Sequence, residues 1–217
     1  MAALYRIAVR LDNGCLSLDR RRSASYHADM HIPKTLVVMA VALCLYVSAA
    51  LAEGPAASPS VRGPIPAGST FELGFSPGGS ATAVVLKAIA AARTSLLLVA
   101  YEFSDRDVAE ALEAAAHRGV KVRVVADFKA AQARYSQVRI LVAAGIPVRL
   151  DSRYAITHDK FMVIDGVSVE TGSYNYSTAA AKKNAENALV LWHLPELAAA
   201  YASEFERLWA ESEEAKG

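Results

Sequence analysis

The sequence predicts an α/β fold: a mixed, mostly parallel sheet flanked by helices, one domain per subunit. Three observations predict it. Apolar strand-like runs alternate with amphipathic helical stretches from about Thr70 onward, giving a β-α-β-α-β-α-β rhythm. The second half switches to strand, tight turn and returning strand, and closes on a long amphipathic helix. At 217 residues, the chain is long enough for one domain with a real core.

The elements follow in order. Phe71, Leu73 and Phe75 alternate with polar or small residues, a strand pattern. Pro77-Gly78-Gly79-Ser80 is a turn, with Ser80 as N-cap of a helix over Ala81–Arg93. Ser95–Phe103 (SLLLVAYEF) reads as a buried strand. Ser104 then caps a helix over Asp105–Arg118, which Gly119 ends. Val120–Asp127 alternates as a strand, Ala130–Ala144 is helical, and Ile146–Leu150 is a short strand. Lys160–Asp165, the turn Gly166-Val167 and Ser168–Thr171 form a hairpin. Thr178–Lys183 is a short helix and Asn187–His193 an apolar strand. Pro195 opens the last helix, where Leu197, Tyr201, Phe205 and Leu208 share one face to about Glu211.

Hydrophobic residues make up 53% of the chain, and the excess sits upstream of this domain. Thr35–Ala52 carries no charge. The basic Met30-His31-Ile32-Pro33-Lys34 precedes it, and Ala50-Leu51-Ala52 ends it with a small-x-small signature. Residues 30–52 read as a secretory signal peptide, with Met30 as the initiator and 1–29 as a non-native upstream extension. Residues 53–68, rich in Pro, Ala, Ser and Gly, read as a linker, and 69–214 as the domain. The expected location is periplasmic or secreted.

Both cysteines, Cys15 and Cys44, fall in the discarded part, which leaves no thiolate nucleophile, disulfide or Cys metal site. Removing the six Lys+Arg and three Asp+Glu of residues 1–52 from the chain's 23 and 22 leaves 17 and 19, a formal net charge of −2. That balance speaks against a nucleic-acid partner, but its distribution speaks for one. Nine basic residues lie between Arg118 and Lys160, opposed only by Asp127, Asp151 and Asp159. A basic middle between acidic ends suits a local phosphate-binding face.

The chemistry concentrates in His158-Asp159-Lys160-Phe161-Met162-Val163-Ile164-Asp165, followed by Gly172-Ser173-Tyr174-Asn175. Residues two apart along an extended chain share a face, so His158 pairs with Lys160 and Ser173 with Asn175. Imidazole, ammonium, hydroxyl and amide together suit a phosphodiester. Lys160 and Asn175 can bind non-bridging oxygens and stabilise a pentavalent transition state. His158 can attack phosphorus as the neutral imidazole. His117, His158 and His193 lie far apart without a carboxylate cluster, so neither a metal nor another cofactor is expected. His117 suits the surface of a helix C-terminus. Tyr174 and Tyr176 suit either stacking on bases or core packing.

The spacing H-x-K-x4-D-x6-G-S-x-N resembles the signature of the phospholipase D superfamily, and every element is present. Beyond the motif, AGIPVRLDS and the run from His158 to Trp192 resemble its small bacterial periplasmic endonucleases carried on conjugative plasmids. The resemblance covers nearly all of the domain. It implies a phospholipase D-like fold, a structural hydrogen-bonding role for Asp165, and Glu186 as the carboxylate that orients the histidine. Superfamily members usually carry two H-x-K motifs per chain, one for the nucleophile and one for the acid/base. This chain has one, which implies a twofold homodimer with facing His158 residues. The expected activity is that of a metal-independent phosphodiesterase. Its leading form is a nonspecific endonuclease acting on DNA, with RNA as a second polymer, through a phosphohistidine. A phospholipase D-type lipid phosphodiesterase is the alternative, and a silent nucleic-acid-binding module a third reading. No stable membrane association is expected after signal removal, since the amphipathic helices look like core-packing ones.

Overall fold

The computed structural model describes residues 9–12, 15–18 and 60–216. The chain divides into two units, Met1–Pro59 and Ser60–Gly217. The expected signal peptide, 30–52, lies outside the described residues, as does most of the upstream extension. In the first unit, β1 (Val9–Asp12) pairs antiparallel with β2 (Cys15–Leu18). Residues 60–68 are exposed and form neither helix nor strand.

The second unit is an eight-stranded mixed sheet with helices on both faces. Its strands are β3 (Thr70–Ser76), β4 (Ser95–Ala100), β5 (Lys121–Asp127), β6 (Val148–Asp151), β7 (Phe161–Ile164), β8 (Ser168–Gly172), β9 (Glu186–Trp192) and β10 (Glu213–Glu214). They lie in the order β10-β6-β5-β4-β7-β8-β9-β3. The helices are α1 (Ser80–Ala91), α2 (Arg106–His117), α3 (Phe128–Ala131), α4 (Val138–Ala143), α5 (Thr178–Lys182) and α6 (Pro195–Glu211).

The parallel part is confined to β4, β5 and β6; every other pairing is antiparallel. This is less parallel than the rhythm of the sequence suggests. The helical crossovers α2 and α3–α4 link the parallel strands, whereas the three-residue turn between Ile164 of β7 and Ser168 of β8 permits only an antiparallel return. Asp165 (φ 54°) and Gly166 (φ 67°) both adopt the left-handed conformation that such a turn needs. The first strand, β3, does not join β4. It runs to the far edge, antiparallel to β9.

Two apolar layers hold the sheet. On one face α1 and α2 bury Val85, Ile89, Val108 and Leu112 against Leu96, Leu98, Val122 and Val124. On the other, α6 sets Ala198, Phe205 and Leu208 on Val99, Val125, Phe161, Val163 and Val169. The shared helical face of Phe205 and Leu208 thus packs as its periodicity predicts. Arg123 and Arg149 lie over the Trp209 ring, 4.2 and 4.8 Å from its centroid, and bind the end of α6 to β5 and β6.

Local detail departs from the sequence reading at three places. The helix expected over 130–144 is broken into α3 and α4, because Gln137 N–H donates to the Phe103 carbonyl (2.9 Å) and Ser136 Oγ accepts from Val138 N–H (3.3 Å). Ser80 does not cap α1; its hydroxyl closes the preceding turn on the backbone of Phe75, and Gly79 holds the N-cap. Asp105, not Ser104, caps α2, accepting from Asp107 N–H.

Glu170 on β8 is 1% exposed, inside the α1/α2 layer, where Tyr176 O–H donates to it at 2.7 Å. Its other oxygen has no partner. Burial pushes its pKa up to about 8, against the smaller opposing effect of the Tyr176 hydrogen bond. The unfolded chain releases that proton near the ordinary value of 4.5. Between these values the folded state binds more protons, so stability falls as pH rises from about 4.5 through about 8. Glu170→Gln keeps an acceptor for Tyr176 and has no charge to bury. Followed by thermal melts, it is expected to match the parent near pH 5 and exceed it by a few kcal/mol at pH 9. A variant weaker than the parent at pH 9 would contradict a neutral, destabilising Glu170.

Candidate active site

The parallel strands β4, β5 and β6 end at the same sheet edge where the antiparallel β7 begins. Strand ends of this kind gather ligand sites in open α/β sheets. Asp127 closes β5 and Asp151 closes β6, and both are buried, at 2% and 1% exposure. Together they grip Thr157. Asp127 accepts Thr157 N–H at 2.9 Å, and Asp151 accepts its hydroxyl at 2.8 Å. The other Asp127 oxygen caps α3 through Ala130 N–H, and the other Asp151 oxygen accepts from Arg153 N–H. This clamp fixes the residue directly before His158.

His158 itself is exposed. Its ring rests on Tyr101, just past the end of β4, with centroids 4.9 Å apart. Lys160 is 7% exposed; its ammonium donates to the His158 carbonyl at 2.5 Å and lies 5.4 Å from the Tyr101 centroid. Burial lowers the Lys160 pKa, against the pull of Asp159, Glu186 and Glu102 toward the charged form. A weakly solvated ammonium is a stronger partner for an anionic oxygen than a hydrated one. Asp159 shifts the other way: burial and the nearby Glu204 raise it, against Lys160, Arg207 and His158.

The second strip of the site follows β8. Gly172 is required by close approach, since a Cβ there would meet the Asn187 carbonyl oxygen at 2.2 Å. Ser173 Oγ accepts from the backbone and side-chain N–H groups of Asn187 at 3.1 and 3.3 Å, so its own proton is free to donate. Asn175 Oδ1 is buried without a partner. Tyr174 and Tyr176, 1% and 0% exposed, belong to the core and offer no face to a base.

His158, Lys160, Ser173, Asn175 and Glu186 line one open cleft of about 470 Å³, together with Asp159, Thr171 and Tyr201. The structure therefore brings together five of the six residues singled out in the sequence. Glu186 lies on its wall, accepting from Asn184 Nδ2 at 3.0 Å. Asp165 is not among the lining residues. It sits at the opposite end of β7, where its carboxylate accepts from the N–H groups of Arg93, Thr94 and Ser95 and from the Thr94 hydroxyl. Burial acts to raise its pKa, but these donors outweigh it and hold the group below the usual carboxylate range. That is a knot between hairpin and sheet. His117 is exposed in the last turn of α2. Among the described residues, no group of three or more His, Cys, Asp or Glu side chains is placed to hold a metal ion.

Tyr101 and the Asp127–Asp151–Thr157 clamp are the parts that sequence reading missed. The available signal was positional: each of the three residues Tyr101, Asp127 and Asp151 ends or follows a strand of the parallel set.

Fold and cleft together define a phospholipase D-like phosphodiesterase class. Residues 85–209 match the family model described as cardiolipin synthase, PLD-like domain. The chain belongs to this family. Among solved structures, it resembles the phospholipase D family member Nuc from Salmonella typhimurium, with 40% identity, a TM-score of 0.67, and coverage of 69% of this chain and 99% of that one. NucT from Helicobacter pylori matches at 25% identity and a TM-score of 0.61, over 68% of this chain and 99% of that one. A curated relative, the mitochondrial cardiolipin hydrolase of Canis lupus familiaris, is 38% identical over 162 residues, which is 75% of this chain and 61% of the relative. The chain thus spans about three fifths of the length of that relative.

Proposed function

We propose that the protein is a metal-independent phosphodiesterase that cuts nucleic acid, DNA first and RNA second, through a phosphohistidine formed on His158. The observation that carries this reading is the convergence of an exposed imidazole, a desolvated ammonium, a free hydroxyl donor and an amide in one polar cleft. Lys160, Ser173 and the Asn175 amide hold the non-bridging oxygens. An imidazole nitrogen of His158 forms a bond to phosphorus as the bond to the leaving oxygen breaks. The partner subunit's His158 gives its proton to that oxygen. It then takes a proton from water, whose oxygen attacks phosphorus and releases His158.

This cycle needs a second imidazole, so we place the site at the twofold interface of a homodimer. An uncovered sheet face supports the arrangement. Helix α6 packs mainly across β4 to β8, and among the described residues the β3 side chains on that face stay exposed. On β3, Phe71, Leu73 and Phe75 are 69%, 47% and 58% exposed, aligned with Leu191, Leu189 and Asn187 of β9. The same face carries Thr171, which lines the cleft and pairs with Leu189. An apolar strip continuous with the cleft suits an isologous contact between two copies.

The relative named as a cardiolipin hydrolase supports a second reading, a phosphodiester in a lipid headgroup, with the same residues in the same roles. Plasmid nicking and cardiolipin-vesicle hydrolysis, both in excess EDTA, separate the two. Nicking that persists in EDTA, with little vesicle hydrolysis, is expected. Nicking abolished by EDTA would refute the metal-independent reading, and efficient vesicle hydrolysis without nicking would favour lipid. We further propose export to the periplasm or medium, on the strength of the charge-free run that follows Lys34.

A further inference from the structure

Beside Tyr101, whose ring packs on that of His158, lies a second groove of about 240 Å³. Its walls are aromatic, from Tyr101, Phe103 and Tyr135, and its floor is Ala130 and Ala133. Glu102, Lys129 and Ser136 add polar groups to its lining. The groove exists because the helix expected over 130–144 is broken: the interruption between α3 and α4 carries Tyr135 outward, 64% exposed. The Lys129 ammonium donates to the Ala155 carbonyl at 3.2 Å, tying the groove to the segment that leads into His158.

A large tyrosine left mostly in water, beside a buried phenylalanine and the tyrosine that packs on His158, is a platform for a flat ring. The volume is below the roughly 300–1,000 Å³ of sites for drug-sized ligands, and fits one ring system. Carboxylate, ammonium and hydroxyl groups at its lining can meet the donor and acceptor edges of a base, whereas an acyl chain offers them no partner.

We infer that this groove is a base-binding subsite: the nucleotide next to the scissile phosphate inserts its base against Tyr135, so the chain being cut is single-stranded at that point. The inference rests on the nucleic-acid reading above and adds the strand state. A base held in a duplex is stacked and paired, and must leave both partners to enter.

Tyr135→Ala and Tyr135→Phe test it, each confirmed as folded by its melting temperature. Substrates are a short single-stranded oligonucleotide, its duplex, an abasic single strand of the same length, and cardiolipin vesicles. The expected result is preference for the single strand and, for Tyr135→Ala, a loss in kcat/KM of roughly ten-fold or more on it, mostly in KM. Activity on the abasic strand should be unchanged, and Tyr135→Phe should retain the parent values. Equal effects of Tyr135→Ala on base-bearing and abasic strands, or none on either, would overturn the subsite while leaving the nuclease intact. Loss confined to vesicles would make the groove a lipid site. A parent that cleaves no nucleic acid at all would instead remove the reading on which the subsite depends.

Discussion

His158→Asn is expected to lower turnover on plasmid DNA by roughly 10⁴-fold or more, with little change in melting temperature. The size follows from removing a nucleophile whose partners act as a unit with it. If the partner subunit's His158 serves as acid and base, one substitution deletes both roles at once, because every dimer loses both copies. The near-constant stability follows from position. The imidazole is exposed and its main contact is one face of Tyr101, while the clamp by Asp127 and Asp151 acts on Thr157 and survives the change. Asparagine keeps a planar polar group of similar reach. A variant with a tenth of the parent rate would remove His158 from the chemistry.

The second large effect concerns the uncovered face. Leu73→Glu places a carboxylate in the strip formed by Phe71, Phe75, Leu189 and Leu191. In a monomer this costs little, since Leu73 is already 47% exposed and lies on an edge strand. In a dimer closed over that strip, two new charges meet in an apolar contact, where burial without a partner is costly. The expected outcome is a folded monomer by sedimentation, with activity reduced 10²- to 10⁴-fold, the range typical of losing a positioned acid/base. Mixing differently tagged parent and His158→Asn subunits adds a second check. Mixed dimers should be as inactive as the pure variant if each reaction needs both imidazoles. A monomeric Leu73→Glu variant with full activity would show that one His158 suffices.

Much of the site was legible in the sequence because its residues are local. His158 and Lys160, then Ser173 and Asn175, sit two apart on either side of one hairpin, and the turn Asp165-Gly166 fixes the register that brings the pairs together. Helix α6 was equally plain, since a Pro start and a 3.6-residue apolar period need no distant information. The missed parts are those decided at long range. Asp127 and Asp151 meet Thr157 only after the parallel strands align. Tyr101 meets His158 through the antiparallel pairing of β4 with β7.

Strand β3 shows what alternation leaves open. Alternation placed Phe71, Leu73 and Phe75 on one face correctly, but an apolar face normally implies burial in the same chain. Here that face is open, and pattern alone cannot tell a core from an interface. The helix over 130–144 failed because its break comes from a tertiary contact, the Gln137–Phe103 hydrogen bond, with no Gly or Pro to announce it.

The proposed cycle turns on a covalent phosphorus–nitrogen bond at His158. Its most direct measurement is trapping with phosphate-labelled substrate in excess EDTA, quenched in alkali and mapped by peptide mass spectrometry. A phosphoramidate, stable to base and labile to acid, is predicted on the peptide containing His158, at no more than one label per two subunits, and absent in His158→Asn. Cleavage in EDTA without any protein-bound label, or label on a residue other than His158, would contradict it.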